Sequence, residues 1–228
     1  MPVLSVIIPT MNEGASIGAV IVEVRRALSG WDHEILVVDT ASRDRTREIA
    51  AAEGARVIDE PRRGYGRAYK TGFVAAKGEL LATLDADLTY PAERIPEMAA
   101  LVLAGTVDFV SGDRLSTLNS AAMTGMHRIG NAILNQTFRA LYSHPIHDSQ
   151  SGMWVFRRSV LDGMTLTSDG MALSEELKIE AIRRCRFREV PIDYRQRVGE
   201  KKIRSFQDAF RNELFLVQKR FGWVTPGA

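Results

Sequence analysis

Two aspartates one residue apart, Asp85 and Asp87, are the strongest chemical signal in the sequence; they follow the apolar run ELLATL. Side chains alternate along a strand. A D-x-D pair at a strand's end therefore puts both carboxylates on one side, and the small Ala86 between them leaves room for a bulky ligand. Two carboxylates held this close repel each other unless a cation joins them. A hard divalent ion that keeps phosphate oxygens among its ligands suits such a pair, so Mg²⁺ or Mn²⁺ bridging a diphosphate is the expected occupant. Surface acids match D-x-D by chance; the buried strand before this one gives it weight.

Asp39 closes an earlier apolar run, EILVVD, in the same way. A carboxylate there either accepts hydrogen bonds from a ribose hydroxyl or a base N–H, or caps the helix that follows. The segment TASRDRT after it reads as a helix N-terminus able to favour phosphate. Glu13, behind the first apolar run, either contacts a nucleoside or caps its own helix. GYGRAYKTG at 64–72 superficially matches a dinucleotide fingerprint, but it follows a turn and lacks the required spacing of the third glycine. It reads instead as a loop and helix start beside the nucleotide.

The elements that must carry these residues alternate along the first half. LSVIIP, EILVVD, ARVID and ELLATLDAD read as strands, and Gly14 to Leu28, Arg43 to Glu53 and Gly66 to Ala76 as helices. Continuous Val/Ile/Leu runs joined by amphipathic stretches indicate parallel strands buried on both faces. The fold class is α/β with a doubly wound sheet, whose ligands bind beyond the carboxyl ends of the strands. Pro9 to Glu13, Asp39 to Asp44 and Asp85 to Thr89 then share one edge. The second half reads as helix from Glu93 to Ala104, strand DFVSGDR, helix from Met126 to Leu141, loop at Pro145 to Gly152, strand MWVF, helix near Ser174 to Arg184, strand RFREVPIDY, and a last helix from about Arg204 to Phe221.

The length of 228 residues, 45% of them hydrophobic, suits one domain with a sizeable core. A single cysteine, Cys185, excludes an internal disulfide and a cysteine-based zinc site, and fits a reducing, cytoplasmic compartment. The N-terminus has no basic segment before its apolar run and does not read as a signal peptide. No stretch approaches a membrane span, so any membrane contact is expected to be peripheral. Charge is uneven: from Arg183 onward twelve basic residues face five acidic ones, or +7, leaving −5 for the first 182 residues. The basic end is either a solvated helix face or a surface for an anionic partner. The last helix gathers Phe206, Phe210, Leu214, Val217 and Phe221 near one face. That face is expected to pack against the domain, the alternative being a membrane interface.

VIIPTMNE, VVDTASRDRT, GYGRAYKTGF, DADLTYP, SGDR, MHRIGN, DSQSGM, SEELKIEA and RVGEKK, in this order and spacing, resemble the family-2 glycosyltransferases of the GT-A fold, and within them the dolichyl-phosphate mannose synthase group. The resemblance runs nearly the whole chain. It implies one domain over 1–228 with a mixed, mostly parallel sheet flanked by helices: a nucleotide-sugar half at 1–110, an acceptor half at 111–202 and a C-terminal amphipathic helix at 203–228. It also implies metal-dependent transfer with inversion from a nucleotide diphosphate sugar, of GDP-mannose or UDP-glucose type, to a polyprenyl phosphate at the cytoplasmic face of a membrane, with no role for nucleic acid. By this resemblance Pro9, Glu13, Val37 and Asp39 hold the nucleoside, and Asp85, Ala86 and Asp87 the metal and diphosphate. Arg114, Arg197 and Lys202 bind phosphates, and Arg128 binds the acceptor phosphate or is a surface helix arginine. Met11, Thr40, Thr89, Met153 and Trp154 depart from the group's pattern.

A phosphate acceptor arrives ionised, whereas an alcohol needs a general base. For that role Asp148 stands first and Glu175 or Glu176 next, Asp148 serving otherwise as a loop residue. Three rivals remain: a nucleotidyltransferase, disfavoured because PTMNEG lacks a glycine-rich, arginine-bearing loop; a non-catalytic nucleotide-sugar-binding subunit; and a glycosyltransferase with a soluble or polysaccharide acceptor.

Overall fold

The computed structural model describes residues 2–116, 125–198 and 205–223, with backbone alone at 125–128 and 205–209. The strands are β1 (Leu4–Thr10), β2 (His33–Asp39), β3 (Arg56–Asp59), β4 (Leu80–Thr83), β5 (Phe109–Asp113), β6 (Trp154–Arg157) and β7 (Phe187–Pro191). The helices are α1 (Ile17–Ala27), α2 (Thr46–Ala52), α3 (Tyr65–Ala75), α4 (Ile95–Leu103), α5 (Gly125–Tyr142), α6 (Leu173–Arg184) and α7 (Ser205–Phe221). The strands form one sheet in the order β3-β2-β1-β4-β6-β5-β7. Only β6 runs against its neighbours, β4 and β5; the other pairings are parallel. The mixed, mostly parallel α/β sheet expected from the sequence is therefore present.

Alternation along the strands splits the core in two. Val6, Ile8, Val37, Leu80 and Ala82 face α1, α2 and α4, where Ile17, Ile21, Ala50, Ile95 and Met98 meet them. Ile7, Leu36, Val38 and Leu81 face the other way, onto Tyr69 and Phe73 of α3 and Leu173 and Leu177 of α6. Fully burying each such side chain contributes roughly 1.5–3 kcal/mol, which is why these runs are mostly apolar. Gly72 lets α3 lie against the sheet: a β-carbon there would stand 2.4 Å from Ile7 Cγ2.

A third, smaller cluster joins Leu134 and Phe138 of α5, Ile179 of α6 and Leu216 of α7. α6 is thus covered on its outer side by α5 and α7. The last helix does pack against the domain, but not through the face expected. Asn212, Phe215 and Leu216 point inward, whereas Phe210, Leu214 and Phe221 are exposed; Val217 is half-buried, and the side chain of Phe206 lies outside the described residues. Both sides of α7 carry apolar residues, and a stripe at helical spacing could not reveal which one the body covers.

Candidate active site

The D-x-D pair is not on a strand. β4 ends at Thr83, and Asp85 to Leu88 form a turn in which Leu88 takes φ 65°. Ala86 packs into the core beside Leu84, so its small side chain fills the interior rather than making space for a ligand. The relation of the two carboxylates is therefore set by the turn and not by strand alternation. Asp85 Oδ1 accepts hydrogen bonds from Tyr65 Oη at 3.2 Å and Tyr69 Oη at 3.5 Å. Burial, reinforced by the Asp87 charge, raises the Asp85 carboxyl to about 7. Asp87 Oδ1 accepts from the backbone N–H of Thr89 at 3.1 Å and its hydroxyl at 2.5 Å, and Oδ2 lies 3.1 Å from Arg197 Nη1.

Arg197 reaches this turn because the chain after β7 runs alongside it. Arg195 N–H donates to Thr89 O at 2.9 Å and Val198 N–H to Asp87 O at 3.0 Å. The other guanidinium nitrogen of Arg197 lies 3.1 Å from Glu13 Oε1, so one arginine links the loop after β1 to the turn after β4. Pro9 is half-buried near the end of β1. Asp39 is fully buried at the end of β2 and accepts from Ser42 N–H at 3.1 and 3.2 Å. It turns the loop and is not the cap of α2, whose first N–H, that of Thr46, is served by Asp44. Val37 lies wholly within the core, which leaves its side chain no contact with a nucleoside. Asn12 and Ala41 take φ 55° and 50°. Together with Leu88 they put three non-glycine residues in the left-handed region on the carboxyl-edge loops, a backbone state that costs energy and clusters at functional sites.

Asp148 has no free oxygen for a proton. Its carboxylate takes Arg114 Nε at 2.7 Å, Arg114 Nη2 at 2.8 Å and the Arg114 backbone N–H at 3.0 Å. The pair is buried, and although burial alone would raise the carboxyl, Arg114 holds it below its usual value. The expectation of Asp148 as general base is corrected accordingly: it orients Arg114, whose guanidinium also lies over the Tyr194 ring at 5.2 Å. The loop is pinned at further atoms. Glu189 accepts from the N–H groups of His147 and Asp148 at 2.7 and 2.9 Å, Asn135 accepts from Ser149 N–H at 2.9 Å, and buried Lys178 donates to Asp148 O at 2.6 Å and Ser151 O at 3.0 Å. Burial pulls the Lys178 ammonium down to about 8. Glu176 accepts from Thr167, Ser168 and Lys219 and is structural. Glu175 is fully buried, and desolvation pushes its carboxyl well up.

Gly152 follows this loop and faces the first carboxylate's support. A β-carbon there would stand 2.3 Å from Tyr65 Oη, and its N–H donates to Tyr90 Oη at 2.7 Å. The N-terminus of α3 is equally tight: Gly64 has φ 148°, and a β-carbon would meet Asp169 O at 2.3 Å. Lys202 lies outside the described residues, as does the side chain of Arg128. Sequence reasoning missed Tyr65, Tyr69, Tyr90 and Lys178. The first two sit in GYGRAY four residues apart, a spacing that puts both on one helix face, and that was the available signal.

The carboxylate pair fits a divalent cation. Among the described residues no group of three or more His, Cys, Asp or Glu side chains could hold a metal, so Asp85 and Asp87 would supply few ligands and substrate oxygens the rest. Mg²⁺ and Mn²⁺ are commonly bound in this way beside a diphosphate.

The family profile of "Glycosyl transferase family 2" matches residues 5–164. A dolichyl-phosphate hexose transferase of Haloferax volcanii is 38% identical over 204 residues, covering 89% of this chain and 87% of its own. The low-salt glycan biosynthesis hexosyltransferase Agl6 of the same organism is 36% identical over 233 residues, covering 99% of this chain, which spans only 56% of that relative's length. A dolichol-phosphate mannosyltransferase of Pyrococcus furiosus is 30% identical over 210 residues, covering 88% of this chain and 59% of its own. Glucosyl-3-phosphoglycerate synthase from Mycobacterium tuberculosis, solved with Mn²⁺, uridine diphosphate and phosphoglyceric acid, superposes with a TM-score of 0.79 at 21% identity, covering 97% of this chain and 79% of that one; at that identity it speaks for the fold alone. The carboxylate turn, the arginine bridging it to the first loop and these matches agree: the chain belongs to glycosyl transferase family 2 and has the GT-A fold.

Proposed function

We propose that the protein transfers a hexose from a nucleotide diphosphate sugar to a polyprenyl phosphate, with inversion and with Mg²⁺ or Mn²⁺ as cofactor. The observation that carries the reading is the Asp85–Asp87 turn, bridged by Arg197 to Glu13 and lying on the same sheet edge as Asp39. The names of the relatives favour the lipid phosphate over a soluble acceptor.

In this reading Pro9, Glu13 and Asp39 border the nucleoside, and Asp85 and Asp87 face the diphosphate. The acceptor phosphate, already ionised at neutral pH, needs positioning rather than deprotonation. Its oxygen forms a bond to the anomeric carbon as the bond to the nucleoside diphosphate breaks, and negative charge grows on the departing diphosphate. A divalent ion at the carboxylate pair supplies Lewis-acid stabilisation of that charge. Arg197 and Lys202 add positive charge beside it, and Arg114, oriented by Asp148, does the same from the acceptor half, where Arg128 is assigned the incoming phosphate. No side chain need act as base, which agrees with Asp148 having no free oxygen. An acceptor carried by a lipid places the enzyme peripherally on the cytoplasmic face of a membrane; among the described residues no helix is long and apolar enough to cross one.

The test is a thermal-shift screen against UDP, GDP and their hexose conjugates, with and without Mn²⁺, followed by transfer assays with a short-chain polyprenyl phosphate. A ligand at a hundredfold excess over its dissociation constant stabilises by roughly 2.7 kcal/mol. A metal-dependent shift with one nucleotide, then a lipid-linked hexose, supports the reading; no shift with any donor returns weight to a non-catalytic subunit.

A further inference from the structure

Ten large apolar side chains are exposed among the described residues, and six share one two-helix face: Ile129 and Ile133 of α5, Phe210, Leu214 and Phe221 of α7, and Trp223 just beyond it. α5 and α7 run parallel. Thr137 bonds Glu213, Tyr142 Oη donates to Leu216 O and Arg220 Nε to Leu141 O, so contacts advance together along both helices. The inward sides are fixed by Leu134, Phe138 and Leu216 in the third core cluster. At 100° per residue, Ile129 and Ile133 fall on the opposite side of α5, and Phe210, Leu214 and Phe221 on the opposite side of α7. A contiguous apolar strip thus runs along the outside of the pair.

Its borders are basic. Arg139 lies on the edge of α5 away from α7, its Nε donating to Ile146 O at 2.7 Å, and Arg211 on the edge of α7 away from α5; both are exposed. Glu213 is turned in between the helices toward Thr137. An apolar strip flanked by arginines is the pattern of helices that lie in a membrane interface. A second copy of the chain fits less well, because a two-fold pairing of this face would set arginines against arginines with no exposed carboxylate between them among the described residues.

We infer that the outer face of α5 and α7 is a docking surface for an anionic lipid bilayer, its apolar strip seated at the acyl boundary and its arginines on the headgroup phosphates. The inference rests on the lipid-acceptor reading for its purpose but not for its test. The purified chain is sedimented with vesicles of zwitterionic lipid, with and without added anionic lipid. Wild type is expected to bind the anionic vesicles more tightly, and less so at high salt. Phe210→Asp with Leu214→Asp should lower the bound fraction by more than about tenfold, since each of these side chains is worth at least that on leaving water. Arg211→Glu should weaken the preference for anionic lipid. Phe210, Leu214 and Arg211 are exposed, so melting temperature and the nucleotide-induced shift should stay as in wild type. The proposal is overturned if wild type does not bind vesicles, if both variants bind as it does, or if wild type sediments as a dimer that the aspartate variant dissociates. Normal vesicle binding without transfer to any polyprenyl phosphate would leave the docking surface standing and sink the acceptor reading instead.

Discussion

Replacing Asp148 with asparagine separates two accounts of the DSQSG loop. As a general base, Asp148 would affect turnover and little else. As the clamp seen here it neutralises a buried guanidinium through three hydrogen bonds, and Asp148→Asn leaves Arg114 with an uncompensated charge. Removing one partner of a buried ion pair costs about 3–5 kcal/mol. For a chain of this size each kcal/mol shifts the melting temperature by roughly 2–4 °C, so a drop of about 6–20 °C is expected. The pH dependence gives a second check. The Asp148 carboxyl is held below its usual 3.8, so its contribution is complete above that value and is lost as pH falls through the lower, folded-state one. Melting curves of wild type and variant from pH 8 down to 3 should therefore stay separated by a constant gap and converge only in acid. A variant that melts with wild type at pH 7 yet transfers no sugar would refute the clamp and restore the base.

Asp87→Ala should abolish transfer and the metal-dependent part of the nucleotide shift while the protein still folds; thermal-shift curves with and without Mn²⁺ check both. Gly152→Ala should lower kcat by about tenfold or more, because the new methyl displaces Tyr65 from Asp85 and misplacement near 1 Å has effects of this order; steady-state kinetics against the same variant carrying Tyr65→Phe tests the route. Lys178→Met should slow turnover, by loosening the loop that holds Arg114, without lowering the melting temperature at pH 7. The folded-state ammonium, down at about 8 from 10.5, is a buried charge whose cost is present below pH 8 and fades as pH rises toward 10.5. The variant's stability advantage should therefore shrink between pH 8 and 10.5 in melting curves.

The sheet could be read from the sequence because its strands are buried on both faces, and a run such as LSVIIP has few other places to go. The carboxyl-edge loops followed from that topology. The chemistry of the D-x-D pair was also legible, although its geometry was not: whether a strand stops at Thr83 or runs to Asp87 depends on hydrogen bonds to β6, which local periodicity does not record. Asp148 illustrates a deeper limit. A carboxylate in a polar loop looks the same in sequence whether it faces solvent or a guanidinium 34 positions earlier, and only tertiary packing distinguishes them. For α7, two apolar sides competed for the core, and the choice was made by where α5 and α6 already lay.

The one reversed strand, β6, divides the molecule's labour. Parallel strands can offer the site only the loops that follow them, which is how β1, β2 and β4 contribute. Because β6 points the other way, it brings to the same edge the loop that precedes it, Asp148 to Gly152, together with the clamp on Arg114. Loops that follow parallel strands and one loop that precedes the antiparallel strand thus meet at a single edge, and Arg197, from the chain after β7, ties the first of them together. Such a layout is modular: the loop before β6 can be exchanged or lengthened without redrawing the parallel crossovers among β1, β2 and β4.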